Sequence, residues 1–272
     1  MKCGLVSLWV LLLHHQTLNA QQAGALTAAD FSEVMLYNRE AGDALAWTGN
    51  AVGLAGEMNA MAGVYSCRPY LLEGLGEHAI TGSLPVFSGG LGMYLAYSGS
   101  SYLNTSKAGI AYGRSLTDRL ALGLGFDYQQ LSLRGYGRSG FITARAGGRI
   151  SLTGRLHLLA HVVVPATDTQ NGAMQLSGST GIGFIFSPQL SGFLSIHRMG
   201  GSATSVHAGF LYRPVHAVSI KAGFSGVQPA SWLSLGWQRG RFQFEVQGSY
   251  HLALGLTPGI ALQFLPPLIP AK

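Results

Sequence analysis

Charged residues are scarce in this chain. Only 10% of its 272 residues are Asp, Glu, Lys or Arg, against roughly 25% in an ordinary soluble domain. Long apolar runs are also missing, since no segment after residue 20 reaches the ~18 uninterrupted apolar residues that indicate a membrane-spanning helix. The sequence therefore fits neither a soluble domain with a charged surface nor a bundle of membrane helices.

Cysteines and clustered basic residues are equally rare. The two cysteines are Cys3 and Cys67, and Cys3 lies in a segment that we expect to be removed, so no intramolecular disulfide is expected in the mature chain. Cys67 is predicted to be a small packing residue. The formal net charge is +6, but Lys and Arg are spread singly along the chain. We therefore expect no nucleic-acid partner.

Motifs for catalysis, cofactors and metals are also missing. His157 and His161 share a strand face but lie ~13 Å apart along it, and His78, His197, His207, His216 and His251 are isolated in the sequence. A Ser–His pairing can be drawn between His161 and Ser151 or Ser179, but no motif supports it. We predict no enzymatic activity, no cofactor and no metal site.

The first twenty residues have the pattern of a secretory signal peptide. Lys2 supplies a positive charge, residues 5–13 form a short apolar run, and Ala20 offers a small residue for cleavage. We predict that residues 1–20 are removed, with a signal anchor as the alternative.

Residues 21–74 differ from the rest of the chain. Residues 31–45 contain helical stretches, and residues 42–63 are rich in Gly and Ala without strict alternation. We predict an N-terminal plug or cap with short helices that leads into a first strand near Val64. The residues singled out in this segment are Trp47, Asn50, Asn59 and Arg68.

From about residue 77 to 264 the sequence alternates with a period of two. In residues 241–250, Phe242, Phe244 and Val246 fall on one side and Gln243 and Glu245 on the other. Short turns separate segments of about ten residues, which is typical of a membrane β-barrel. We predict an all-β fold, a transmembrane antiparallel β-barrel over residues 75–265, with 12–14 strands, 14 being favoured, and a tail at 266–272.

A soluble β-sandwich is the alternative to the barrel. Its outer face should carry many Lys and Glu residues, whereas the less apolar face here is mainly Gly, Ala, Ser and Gln. A closed barrel also avoids open strand edges in lipid. We therefore predict a protein of the Gram-negative outer membrane, surrounded by outer-membrane lipid. The largest predicted loops are the polar stretches 98–106, 132–139 and 166–177.

Polar side chains on the less apolar face should project into the barrel and pair with one another. They form either a structural network or a polar substrate path. The predicted luminal set is Arg119, Asp127, Arg145, Arg149, His157, Lys221, Gln243 and Glu245.

Three stretches carry a family resemblance. Residues 41–72 form a Gly/Ala-rich run, with Ser66-Cys67-Arg68-Pro69 in the place of an Asn-Pro-Ala-like element. Residues 211–226 form a strand–turn–strand with a Tyr-x-Pro turn, in which Lys221 stands at an arginine position, and residues 250–264 contain a His-x-x-Leu-Gly spacing. Together they resemble the PorV/PorQ family of Bacteroidota outer-membrane proteins, itself similar to FadL-type barrels.

The resemblance implies an accessory role in protein secretion or surface assembly, as in type IX secretion, with secretion machinery or its cargo as partner. The alternative is FadL-like transport of a small hydrophobic molecule, and a third hypothesis is a structural barrel. A transporter needs a lateral opening or an apolar pocket near the plug, so a lumen filled by charged pairs would count against transport.

Overall fold

The computed structural model describes residues 28–38, 42–56, 59–165, 176–199, 204–226 and 230–266. The predicted signal peptide, almost all of the predicted tail and most of the predicted loop at 166–177 lie outside these residues. Among the described residues, no helix is both long and apolar enough to cross a bilayer.

Fourteen antiparallel strands close into a barrel, as the alternating pattern predicted. Each strand pairs with its neighbours in sequence, and β1 pairs with β14, with Tyr65 opposite Ala261. Closure leaves no edge strand, so every backbone group in the wall can find a partner inside lipid. The strands β1–β14 are Met61–Cys67, Gly76–Val86, Gly89–Gly99, Leu103–Ser115, Leu120–Leu133, Gly137–Ser151, Leu156–Pro165, Ser177–Ser187, Leu190–Met199, Ser205–Val215, Val218–Ser225, Ala230–Arg239, Phe242–His251 and Gly255–Phe264.

The two faces of the wall differ as the period-two pattern indicates. On β13, Gln243 and Glu245 are buried and face the lumen, whereas Phe242, Phe244 and Val246 are about half exposed on the outside. The same alternation of buried and exposed positions runs along β5 and β12. An apolar outer face matches the hydrocarbon of a bilayer.

The two ends of the barrel carry different connections. At the end where β1 begins and β14 ends, the turns are short, such as residues 87–88 and 240–241. We call the opposite end the loop end. Two polar stretches predicted as loops there are largely strand, because β4 begins at Leu103 and β6 at Gly137. Strands β4, β5 and β6 are consequently the longest, with 13, 14 and 15 residues.

The N-terminal segment supplies the hydrophobic core inside the barrel. Its described residues contain one α-helix, α1 (Ala28–Leu36), and two 3₁₀ turns, Ala46–Thr48 and Ala51–Leu54. Phe31, Trp47 and Val52 are almost completely buried. Burying each large apolar side chain contributes roughly 1.5–3 kcal/mol. We call the described residues 28–38 and 42–56 the plug, because they pack against the luminal face of the wall.

The plug is shorter than the predicted segment of residues 21–74. Residues 61–67 form β1, which confirms the first strand predicted near Val64. This strand pairs with β2 and β14, so the barrel begins at Met61 and not at the predicted boundary of residue 75. Cys67 is buried on the luminal side of β1, where it packs with Leu45 and Tyr65. The short apolar run in β1 resembles the Gly/Ala-rich plug in composition, which obscures the boundary.

Candidate functional site

Glycines on the luminal wall leave room for the plug. A Cβ on Gly92 of β3 would lie 2.8 Å from the indole of Trp47, and one on Gly113 of β4 would lie 2.6 Å from the carbonyl oxygen of Ala51. Gly123 of β5 is equally close to the backbone of residues 51–52. Much of the high glycine content therefore has a steric purpose, because these wall positions touch plug atoms directly.

A fully buried ion-pair network joins the plug to β11 and β13. Lys221 Nζ lies 2.8 Å from Glu245 Oε1 and 3.4 Å from Asp43 Oδ2, and all three side chains are inaccessible to solvent. The other oxygen of Asp43 accepts hydrogen bonds from the backbone N–H groups of Leu45 (2.8 Å) and Ala46 (3.0 Å). One lysine thus compensates a carboxylate of the wall and a carboxylate of the plug.

Amides and hydroxyls complete the coordination of Glu245. Gln243 and Gln247 donate to this carboxylate over 3.1 and 2.7 Å, and Ser234 also donates to it. On the plug, Ser32 donates to Asp43 over 3.1 Å. Buried charges are tolerated only when they are paired and hydrogen-bonded, and this network meets both conditions.

A second polar contact lies on β5 and β6. The Arg145 guanidinium forms an ion pair with Asp127 at 2.7 Å and donates to the carbonyl oxygen of Thr48 in the plug at 2.7 Å. Four residues further along β6, Arg149 donates to the carbonyl oxygen of Leu36 at 3.1 Å. Each arginine therefore binds a backbone carbonyl of the plug that no helix satisfies.

Seven residues of the predicted luminal set are buried on the luminal face: Asp127, Arg145, Arg149, His157, Lys221, Gln243 and Glu245. His157 lies 3.0 Å from Ser151. Arg119 is the exception, because β5 begins at Leu120 and Arg119 lies exposed in the preceding turn. The alternating pattern continues one residue into that turn, which explains the error.

Two of the four predicted plug residues lie in the plug. Trp47 is buried against β3, and the Asn50 side chain caps the second 3₁₀ turn by accepting from the Val52 N–H. Asn59 is exposed just before β1. Arg68 is also exposed, beyond β1 in the connection to β2, where its N–H donates to Pro258. Both misplacements follow from placing the end of the plug too late in the chain.

Sequence reasoning missed Asp43 and Gln263. Gln263 accepts a hydrogen bond from the Ala44 N–H at 2.7 Å, across 219 positions of sequence. Asp43 was visible only as an acidic residue in a Gly/Ala-rich run of a chain with 11 acidic residues. Such an acid needs a buried basic partner, and that requirement is the signal that could have found it.

A cluster near the loop end brings together three residues that the sequence analysis did not connect. Glu33 of α1 lies 3.2 Å from His197 Nε2 of β9 and 3.7 Å from His207 Nδ1 of β10. Burial opposes the charge of Glu33, but the hydrogen bonds with both histidines outweigh it and lower the pKa of this carboxyl to about 2. The prediction that His197 and His207 are isolated is therefore wrong.

An open cavity of about 560 Å³ lies along the wall at strands β1–β5, which remain paired with one another beside it. Ile80, Leu95 and Tyr128, which line it, are exposed on the outer face. Ala79 and Ala96, which also line it, lie at luminal positions of β2 and β3. Residues from both faces of the wall thus border the cavity, and most of them are apolar.

Comparison with known proteins identifies the architecture. No protein-family model and no curated protein matches the sequence. The toluene transporter TbuX of Ralstonia pickettii has a similar structure, with a TM-score of 0.63 and 12% identity over 82% of this chain and 94% of that one. A Pseudomonas aeruginosa FadL homologue gives a TM-score of 0.60 and 10% identity over 89% and 97% of the two chains.

The Pseudomonas putida toluene transporter TodX gives a TM-score of 0.57 and 11% identity, over 80% of this chain and 91% of that one. At these identities the likeness concerns the fold. With its closed 14-strand wall and apolar outer face, this chain is an outer-membrane β-barrel with the architecture of FadL-type barrels.

Proposed function

We propose that this barrel carries a small hydrophobic molecule from the loop end of its lumen, through the cavity along the wall, to the lipid. The observation that carries the proposal is the cavity of about 560 Å³ bordered by residues of both faces of the wall. Its volume lies within the range of roughly 300–1,000 Å³ that is typical of small-molecule sites.

The accessibility of the lumen supports a lateral route. At the level of the plug, luminal residues such as Thr81 and Ala111 are buried. Nearer the loop end, Ala79 and Ala96 are only partly buried, and Lys107 is exposed. A molecule that enters from the loop end would meet the plug below it and an apolar cavity beside it.

The central charge network does not block this route. The network of Asp43, Lys221 and Glu245 lies on β11 and β13, on another part of the wall from the cavity at β1–β5. Its contacts fix the plug. The luminal polar set therefore has a structural role in this proposal, and the molecule passes without chemical change.

The fold similarity to toluene transporters favours this function over the secretion role. The implied role in type IX secretion gains no support from the comparisons, and no described surface points to secretion machinery or cargo. A negative result in the transport experiment would support the third hypothesis, a structural barrel.

The test is uptake of radiolabelled toluene by cells whose lipopolysaccharide-containing outer membrane lacks any other hydrocarbon channel. Expression of the chain should raise toluene uptake several-fold and leave uptake of the polar sugar raffinose unchanged. Equal toluene uptake with and without the folded barrel would overturn the proposal.

A matched pair of variants localises the route. Ala108→Trp places an indole on β4 within the cavity and should return toluene uptake to background. Ala208→Trp makes the same change on β10, opposite Leu194 of β9, and should leave uptake unchanged. Equal losses in both variants, with both barrels folded, would contradict a route through the cavity.

A further inference from the structure

We propose that Glu33, His197 and His207 form a binding site for a divalent transition metal of the Zn²⁺ class, which would join the plug helix to the barrel wall. The site is separate from the cavity in β1–β5. It uses one carboxylate from α1 and one imidazole from each of two neighbouring strands, β9 and β10.

The spacing of the ligand atoms fits one ion. The carboxylate oxygen and the two imidazole nitrogens all lie within 4.8 Å of one another. The separation of Glu33 and His197 is 3.2 Å, and that of Glu33 and His207 is 3.7 Å. Tetrahedral ligands with metal bonds of about 2.1 Å lie roughly 3.4 Å apart, so the two nitrogens already lie at close to the required distance from the carboxylate.

The ligand set selects the class of metal. Two imidazoles and one carboxylate match the three-ligand sites that leave a fourth position for water. Ca²⁺ and Mg²⁺ prefer all-oxygen surroundings, whereas imidazole suits Zn²⁺, Cu²⁺ and Ni²⁺. The proposed ion is therefore a borderline transition metal.

Outer hydrogen bonds prepare the histidines for this role. Ser225 Oγ lies 3.2 Å from His207 Nε2, which leaves Nδ1 directed at Glu33. Such a partner on the far ring nitrogen fixes the tautomer and orientation of a metal ligand. Ser195 Oγ lies 2.9 Å from His197 Nε2 and would give up this contact to the ion.

Two further features bear on a bound ion. The rings of His197 and His207 stack with centroids 4.1 Å apart, so an ion held by both must turn the two ring planes apart. His197 is 30% exposed, which gives an ion access from the lumen.

His161 adds an independent observation. It lies on the same luminal row, opposite Ser179, which in turn is opposite His197. Its buried Nε2 has no hydrogen-bond partner in the described part of the chain. A buried imidazole nitrogen without a partner is costly unless a water or an ion satisfies it.

The test is titration of the purified barrel in detergent micelles with Co²⁺ as a spectroscopic probe, followed by competition with Zn²⁺. We expect one Co²⁺ per chain, visible absorption bands typical of a tetrahedral site, and loss of the bands when Zn²⁺ is added. Ser225→Ala should weaken binding by about 10- to 100-fold, and His207→Ala should abolish it.

Two further variants separate metal binding from folding. Glu33→Gln keeps the hydrogen-bonding shape of the side chain and should also abolish the bands. His216→Ala removes an exposed turn histidine and should bind Co²⁺ like the original chain. Folding of each variant is checked by its faster migration in unheated detergent gels. Absence of the bands in the original chain, or their persistence in folded His197→Ala and His207→Ala, would overturn the proposal.

Discussion

Two parts of the barrel wall contact the plug in different ways. Strands β9–β13 hold it through buried charges and directional bonds, of which Lys221 to Asp43 is the central one. Strands β3–β5 hold it through contact alone, because Gly92, Gly113 and Gly123 leave space for its backbone and its Trp47 ring. Charges determine where the plug sits, whereas glycines only permit it to sit there.

The difference has a consequence for function. A wall that is fixed to the plug by fully buried ion pairs leaves little freedom for movement. Near the cavity the lumen remains partly accessible, and the ion pair there, Asp127 with Arg145, joins two wall strands, with only Arg145 reaching the plug. In the proposed function, anchoring and passage fall on different strands, and substitutions in each part should produce different defects.

The largest effect is expected at Lys221. Lys221→Met leaves the carboxylates of Asp43 and Glu245 buried without a compensating charge, and breaking a buried pair costs roughly 3–5 kcal/mol. Guanidinium unfolding in micelles measures the loss. The variant Asp43→Asn/Lys221→Met/Glu245→Gln, which removes all three charges, should recover most of it. A loss of stability as large in the triple variant as in Lys221→Met would contradict this view.

The next-largest effect is a loss of stability at acidic pH that arises from Glu33. The pKa of Glu33 is about 2 in the folded chain against 4.5 for the free side chain. Because the folded pKa is depressed, the stabilisation is complete above pH 4.5 and is lost as the pH falls to about 2. At most it amounts to about 3 kcal/mol. His197 and His207 both face the carboxylate. Burial opposes the charge of His197, but the hydrogen bond and charge of Glu33 outweigh it and raise the pKa of His197.

Unfolding measured from pH 6 to pH 2 in a metal-chelating buffer tests this dependence. The difference in stability between the original chain and Glu33→Gln should shrink across the interval from pH 4.5 to 2. A constant difference would show that Glu33 acts through packing alone.

A smaller effect is expected where the wall uses glycine. Gly123→Ala forces the backbone of residues 51–52 away from β5, and overpacking costs about 1–3 kcal/mol. The matched control is Gly82→Ala on β2, where an added Cβ meets nothing closer than 3.9 Å. Equal stabilities of the two variants, measured by guanidinium unfolding, would mean that the plug adjusts freely to the wall.

The sequence predicted the barrel well because its pattern is local. Outward positions on β5 and β13 must be apolar, so the period of two is visible without knowledge of strand partners. The plug contacts are not local. Asp43 and Lys221 are 178 positions apart, and no local pattern links them. The same is true of Glu33 and its two histidines.

Arg119 and Arg145 show that the alternating sequence pattern does not by itself decide whether a side chain is buried in the lumen. Both fall on the less apolar side of the alternating sequence, yet Arg145 is buried against Asp127 and Arg119 is exposed in a turn. Arg119→Ala should change the free energy of unfolding by less than about 0.5 kcal/mol. Arg145→Met should cost several times more, because it leaves Asp127 unpaired and frees the Thr48 carbonyl. Guanidinium unfolding of the two variants, measured side by side, gives both losses of stability. Similar losses would contradict the placement of Arg119 in an exposed turn and would indicate that it contacts the lumen.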